Sequence, residues 1–328
     1  LGRGTKEIAI GKGTESEMNS IKLERQKPVW ETAAARLAAL LAPIRNNGGV
    51  ILALLALYII WGSTYLGIRI AIESFPPFLM AAIRFLIAGS GLYIFLRARG
   101  ESAPTRAQWI GSGVVGGLLL GGGNGGVTFS EQWVSSGLAA VWVATMPLWA
   151  ALFAGLLGRW PTRWEWLGLA LGFVGVVLLN LEANLRSNPV GAIALTIATI
   201  CWALGSVLSQ RLSLPRGMMA SAAQMLVGSA TLFALSLISG ERVTGLPTIR
   251  SASAILYLVA FGSLIGFSSY AYLLRRVRPA LATSYAYVNP IVAVGLGVAL
   301  AGESISGLGL LAMIVILSGV GLVVLNRK

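Results

Sequence analysis

The chain has 328 residues, 56% of them apolar and only 11% charged, with a mean hydropathy of +0.78; a water-soluble domain carries roughly 25% charged residues, so lipid is the solvent for most of this chain. Its net charge is +13, but the positive residues sit in short stretches between apolar runs and form no long basic tract, which excludes a nucleic-acid surface and makes them topology signals. There is no His and no Asp, all twelve acids are Glu, and Cys201 is the single cysteine, which excludes intrachain disulfides, His-based metal sites, Ser-His-Asp triads and Cys-His nucleophiles.

Residues 1–27 are polar with mixed charge and read as disordered. Residues 30–42, with Trp30, Leu37, Leu40 and Leu41, suit a short helix on the membrane surface. Together 1–48 are expected to form a dispensable extension, and no cleaved signal peptide is indicated, since the first long apolar run comes late and is one of many.

Ten apolar runs follow, each near the roughly 20 residues that cross a hydrocarbon core. They lie near 49–70, 76–97, 109–130, 136–157, 165–181, 189–209, 218–239, 253–273, 280–301 and 306–325. Period-2 alternation is absent, which argues against a barrel. If the runs alternate in direction, twenty Lys and Arg fall on one side, including Arg97, Arg159, Arg211 and Arg275. Only Arg186, Arg242 and Arg250 fall on the other. The positive-inside rule then places both termini in the cytoplasm.

The sequence repeats at an offset near 143. Gly137-Leu138-Ala139-Ala140 with Met146-Pro147 parallels Ala280-Leu281-Ala282-Thr283 with Asn289-Pro290, and Trp61-Gly62-Ser63 parallels Trp202 with Gly205-Ser206. Each copy holds five runs, at 49–188 and 189–328. Five is odd, so the copies enter the membrane from opposite sides, an arrangement that places a transporter's substrate site between them near the midplane. The expected fold class is an all-α membrane protein of ten transmembrane helices in two inverted five-helix repeats.

Several stretches carry a family likeness: Tyr58-Ile59-Ile60-Trp61-Gly62-Ser63-Thr64-Tyr65, Pro76-Pro77 leading to Ala82-Ile83-Arg84-Phe85, Gly123-Asn124-Gly125, Pro279 through Pro290, and Gly302-Glu303. In these the chain resembles the drug/metabolite transporter superfamily, specifically its ten-helix EamA type, over residues 50–328. The resemblance implies a central cavity, alternating access and export of metabolites such as amino acids, or of drugs, across the inner membrane. Where the second repeat has Gly302-Glu303 the first has Gly158-Arg159, so a role needing the acid in both copies is in doubt.

Candidate cavity residues come from polar and aromatic groups inside the runs. Arg84 is either a contact for an anionic group, a partner of Glu131 or Glu73, or a structural Arg bonding carbonyls. Arg69 and Glu73, four apart, allow an i,i+4 pair, while snorkelling to the interface explains both without one. Glu131, at the outer end of the third run, is the leading titrating group if transport is proton-coupled, against an ordinary interfacial Glu. Asn289, with Ser284, Tyr285 and Tyr287, lies at a proline where the backbone loses a donor. Pro147 and Pro290 are therefore expected to mark paired helix breaks. Trp61, Tyr65, Trp142, Trp202 and Tyr270 either line a pocket, where they would suit amphipathic, aromatic or cationic solutes, or pack the bundle. Asn124 sits in a Gly-rich stretch where backbone is exposed. The formal G-x-G-x-x-G at Gly111–Gly116 lacks a βαβ unit and reads as close helix packing, together with Gly113, Gly117 and Gly121.

The expected function is a secondary transporter, since no Walker A motif is present, with a small-molecule substrate and the lipid bilayer as partners, as a monomer or homodimer. No cofactor, no metal and no nucleic acid are expected. The alternative is a membrane-embedded lipid- or prenyl-modifying enzyme, weakened by the lack of paired deep carboxylates.

Overall fold

A computed structural model describes residues 2, 48–134, 136–181, 189–243, 245–301 and 307–325. The expected extension, with its surface helix at 30–42, and the Gly302-Glu303 pair lie outside those residues. Among the described residues the chain forms ten helical rods and no strand. They are α1 (Gly48–Ala71), α2 (Pro77–Ala98), α3 (106–130), α4 in two pieces (Ser136–Val143 and Met146–Leu156) and α5 (Arg163–Leu181). The second set is α6 (Pro189–Leu208), α7 (Met218–Ile238), α8 (Ile249–Arg276), α9 in two pieces (Pro279–Ala282 and Tyr285–Ala301) and α10 (Gly307–Leu325). On length and composition alone, α1, α2, α6, α7 and α8 are apolar enough to cross a membrane.

Local chemistry sets the ends of these rods. Thr105 and Gln108 form a capping box at the start of α3, each side chain taking the other's backbone N–H. Thr162 and Glu165 do the same at α5. Prolines occupy the first turn of α2, α9 and the second piece of α4, where no helical donor is lost. Large apolar side chains such as Leu52, Ile59, Ile94 and Leu237 are more than half exposed and point away from the bundle, as a lipid-facing surface requires.

The described residues from Gly49 onward form one unit in which the two sets of five are interleaved. Helix α2 packs along α7, and α5 along α10. Helix α1 packs on α8 and α9, and α6 packs on α3 and α4. Exchanging each helix for the one five places on maps this contact pattern onto itself, which is the signature of a duplicated, inverted bundle. Small residues allow the close approaches: a Cβ on Gly89 of α2 would lie 3.0 Å from the Leu226 nitrogen of α7. Gly113, Gly117 and Gly121 all face α7, at Val227 and Thr231, so the glycine pattern of α3 serves helix packing.

Two expectations about the breaks are resolved differently. Helix α4 is interrupted before Met146, with Pro147 in the first turn of its second piece. In α9 the helix runs through Pro290, and the interruption falls earlier, at Thr283 and Ser284. There the Thr283 hydroxyl donates to the Pro279 carbonyl and the Ser284 hydroxyl to the Leu281 carbonyl, each adding to a backbone N–H that the same carbonyl already accepts.

Candidate functional site

Three stretches are wound as π-helix: Leu57–Trp61 in α1, Gly117–Asn124 in α3 and Leu258–Phe267 in α8. Such widened turns are rare and frequent at functional sites. All three border one central cavity. Its wall comes from α1, α2, α3 and α4 of the first half and from α6, α8 and α9 of the second.

Helix α1 supplies Trp61, Thr64 and Tyr65, the π-helical stretches supply Leu120, Asn124 and Gly262, and α9 supplies Tyr285 and Asn289. Trp61 is fixed from two sides. Its Nε1 donates to the Gly262 carbonyl at 3.0 Å, and its ring meets Trp202 edge-on at 5.5 Å and Tyr285 at 4.7 Å between centroids. The two tryptophans each lie against a glycine of a π-helical stretch, Trp61 against Gly266 and Trp202 against Gly123, where any Cβ would collide with the indole.

Arg84 is 2% exposed and lines the cavity. Its Nε donates to the Ser263 hydroxyl at 2.8 Å, its Cζ lies 4.7 Å from the Phe85 ring centroid, and its Nη2 rests against Gly262. Its Nη1 is buried with no hydrogen-bond partner. Neither expected carboxylate pairs with it. Glu73 instead pairs with Arg250 at 3.6 Å, so of the two readings of Arg69 and Glu73 the i,i+4 pair is not formed. Arg69 turns toward α3 and donates to the backbone carbonyl of Glu131. Helix α1 ends at Ala71, so Glu73 falls in the turn beyond it and does not stand one helical turn above Arg69.

Of the residues singled out from the sequence, Trp61, Tyr65, Arg84, Asn124, Trp202, Tyr285 and Asn289 all reach the cavity wall. Tyr270 does not. It is fully buried behind the wall, bonded to Ser206 at 2.6 Å and packed on Trp61 and Tyr285. Trp142 also lies elsewhere, its Nε1 donating to the Thr196 hydroxyl of α6 at 3.0 Å. Glu131 lies beyond the wall, buried next to Arg69 and Tyr65, with both carboxyl oxygens lacking a hydrogen bond. The Asn289 amide makes no hydrogen bond of sound geometry and stands beside the Tyr65 phenol. Sequence reasoning missed Gly262, Ser263 and Thr64. The glycine of Phe261-Gly262-Ser263 was the available signal, being a place where a buried arginine and an indole approach backbone.

The bundle ends are tied by polar contacts. At one end, Glu241 accepts from the Phe78 and Leu79 nitrogens at 2.9 Å each, capping α2, and Ser74 donates to Ser251 at 2.7 Å. At the other, Arg278 pairs with buried Glu165 at 2.8 Å, and Gln210 donates to the Leu274 carbonyl at 2.9 Å.

The sequence pattern of the EamA-like transporter family matches this chain twice, over residues 47–181 and 189–325. The chain belongs to the EamA-like transporter family. This sets it among transporters of the drug/metabolite type and not among membrane enzymes. It is 50% identical to the "Uncharacterized inner membrane transporter YedA" of Escherichia coli (strain K12), over 84% of this chain and 90% of that protein. It is 26% identical to Protein PecM of Dickeya dadantii, over 79% and 86% of the two chains. It is likewise 26% identical to the "Probable amino-acid metabolite efflux pump" of Salmonella typhimurium, over 81% and 91%. A solved crystal structure of a protein 21% identical in sequence has the same fold, with a TM-score of 0.69 over 85% of this chain and 98% of its own.

Proposed function

We propose that the protein is a secondary exporter of small metabolites, amino acids or related compounds, or of drugs, in the inner membrane, working by alternating access around the central cavity. The observation that carries this is the position of that cavity between the two inverted halves, walled by groups from both. A site at the repeat interface is the one that opposite rocking of the halves exposes to each face in turn. The names of two relatives, an inner membrane transporter and a probable amino-acid metabolite efflux pump, agree with this reading.

In the proposed arrangement both termini are cytoplasmic, on the strength of the Lys and Arg asymmetry, and the repeats divide at 49–188 and 189–328. The end of the bundle carrying Arg278–Glu165 then faces the cytoplasm, and the end carrying Glu131 and Glu73 faces outward. The exported solute contacts Trp61, Tyr65, Arg84, Asn124, Trp202, Tyr285 and Asn289. Exchange for a proton would use Glu131, whose buried carboxyl makes no hydrogen bond and has Arg69 as its charged neighbour. An ionised carboxylate is costly in such a site.

Counterflow in liposomes tests the reading. Purified protein should move at least one labelled solute from a panel spanning amino acids, organic acids and dyes. Absence of protein-dependent flux for the whole panel would overturn it.

A further inference from the structure

Arg84 poses a physical problem that the transporter reading alone does not answer. A guanidinium stays charged in a protein, and a buried charge is tolerated only with a counter-charge and filled hydrogen bonds. Ser263 fills one donor and is neutral. The ion pairs found among the described residues, Arg250–Glu73 and Arg278–Glu165, both leave Arg84 out. No carboxylate belongs to the cavity wall. A positive charge therefore lies 2% exposed against an empty space, with Nη1 unpartnered and no anion supplied by the wall.

We propose that the cavity selects organic anions, with the solute's carboxylate on the free edge of Arg84 and its apolar or aromatic body against Trp61, Trp202 and Tyr285. This rests on the transporter reading and names its substrate class. The geometry joins the two parts at one residue: Gly262 accepts from Trp61 Nε1 on its carbonyl, while its Cα side lies against Arg84 Nη2. Guanidinium and indole thus flank one short stretch of backbone, so a solute bound to one has its body within reach of the other. Arg presents a planar fork suited to a carboxylate, and Nη1 is the unused tine. The Asn289 amide, also without a sound hydrogen bond, offers a neutral donor in the same wall. Aromatic walls by themselves favour cations, but here the fixed positive charge in a low-dielectric site repels them, so the same wall becomes a platform for the apolar part of an anion.

The test uses the full chain and three probes that share one aromatic body: N-acetylphenylalanine as the anion, N-acetylphenylalaninamide as the neutral form and phenethyltrimethylammonium as the cation. Equilibrium binding to protein in nanodiscs is measured alongside counterflow in liposomes. The anion is expected to bind about tenfold or more tightly than the neutral amide, with no competition from the cation. Arg84→Gln should erase that preference, and Arg84→Lys should keep part of it. Should Arg84→Gln fail to fold, the charge series on the unaltered protein decides. Equal binding of anion and amide, preferential binding of the cation, or an anion preference that survives Arg84→Gln overturns the inference. Flux of the cation or the amide that is indifferent to Arg84→Gln keeps the transporter and discards the anion site. Anion binding without flux of any probe does the reverse, and neither binding nor flux discards both.

Discussion

Trp61 and Trp202, one from each half of the chain, meet edge to face with ring centroids 5.5 Å apart and planes at 75°. They occupy corresponding places in the two copies, so the contact joins the halves through the same residue type on both sides. Trp202→Ala should weaken solute binding and lower stability by about 3 kcal/mol, at the lower end for such truncations because lipid gives helices little hydrophobic drive to associate. Trp202→Phe should restore most of the stability. Unfolding in mixed micelles, set beside solute binding, separates the two effects.

A methyl group on Gly262 would lie 2.7 Å from Arg84 Nη2 and 3.0 Å from Thr64 Cγ2. The guanidinium is the flexible end of its side chain and can give way. Gly262→Ala is therefore expected to fold with near-normal stability while raising the KM for transported solute several-fold. Initial rates in liposomes across solute concentrations check this, and an unchanged KM would show that the position of Arg84 is immaterial.

Glu165 is 2% exposed, pairs with Arg278 at 2.8 Å and also accepts the Thr162 N–H at 2.8 Å. Removing Arg278 leaves that carboxylate without its counter-charge. Arg278→Ala should cost about 1–3 kcal/mol. A double-mutant cycle with Glu165→Ala should return a coupling of similar size, measured by equilibrium unfolding.

The buried carboxyl of Glu131 has Arg69 and Tyr65 as its charged and polar neighbours. If this group carries a proton through the cycle, burial raises its pKa above the ordinary carboxylate range, so exchange rates change with pH above that range in the unaltered protein, and Glu131→Gln flattens that profile without abolishing solute binding. A profile that keeps its shape in Glu131→Gln assigns coupling elsewhere.

Much of the bundle was legible in the sequence because lipid imposes one rule on every span. Apolar length gave the ten rods, and the matched Trp61 and Trp202 segments gave the duplication. The cavity wall was legible where a polar or aromatic residue had no business in an apolar run, as with Arg84, Asn124 and Asn289. Contacts across the bundle were not. Glu73 sits four residues from Arg69 but pairs with Arg250 of α8, whose nearness is a product of tertiary packing. Tyr270 and Trp142 satisfied every sequence criterion for lining a pocket, yet their polar atoms bond Ser206 and Thr196 outside its wall. Pro290 shows the same limit from the other direction, since the helix absorbs it and breaks earlier, at Thr283 and Ser284.

The widened turns in α1, α3 and α8 have a consequence for motion. A stretch wound with a surplus residue stores slack within a rod. Tightening it to ordinary α winding swings everything beyond it by about 100° and adds about 1.5 Å of length per residue released. Three such reserves abut one chamber and bear on Trp61, Trp202 and Arg84. A change of winding at any of them would move an aromatic or charged group of the chamber wall.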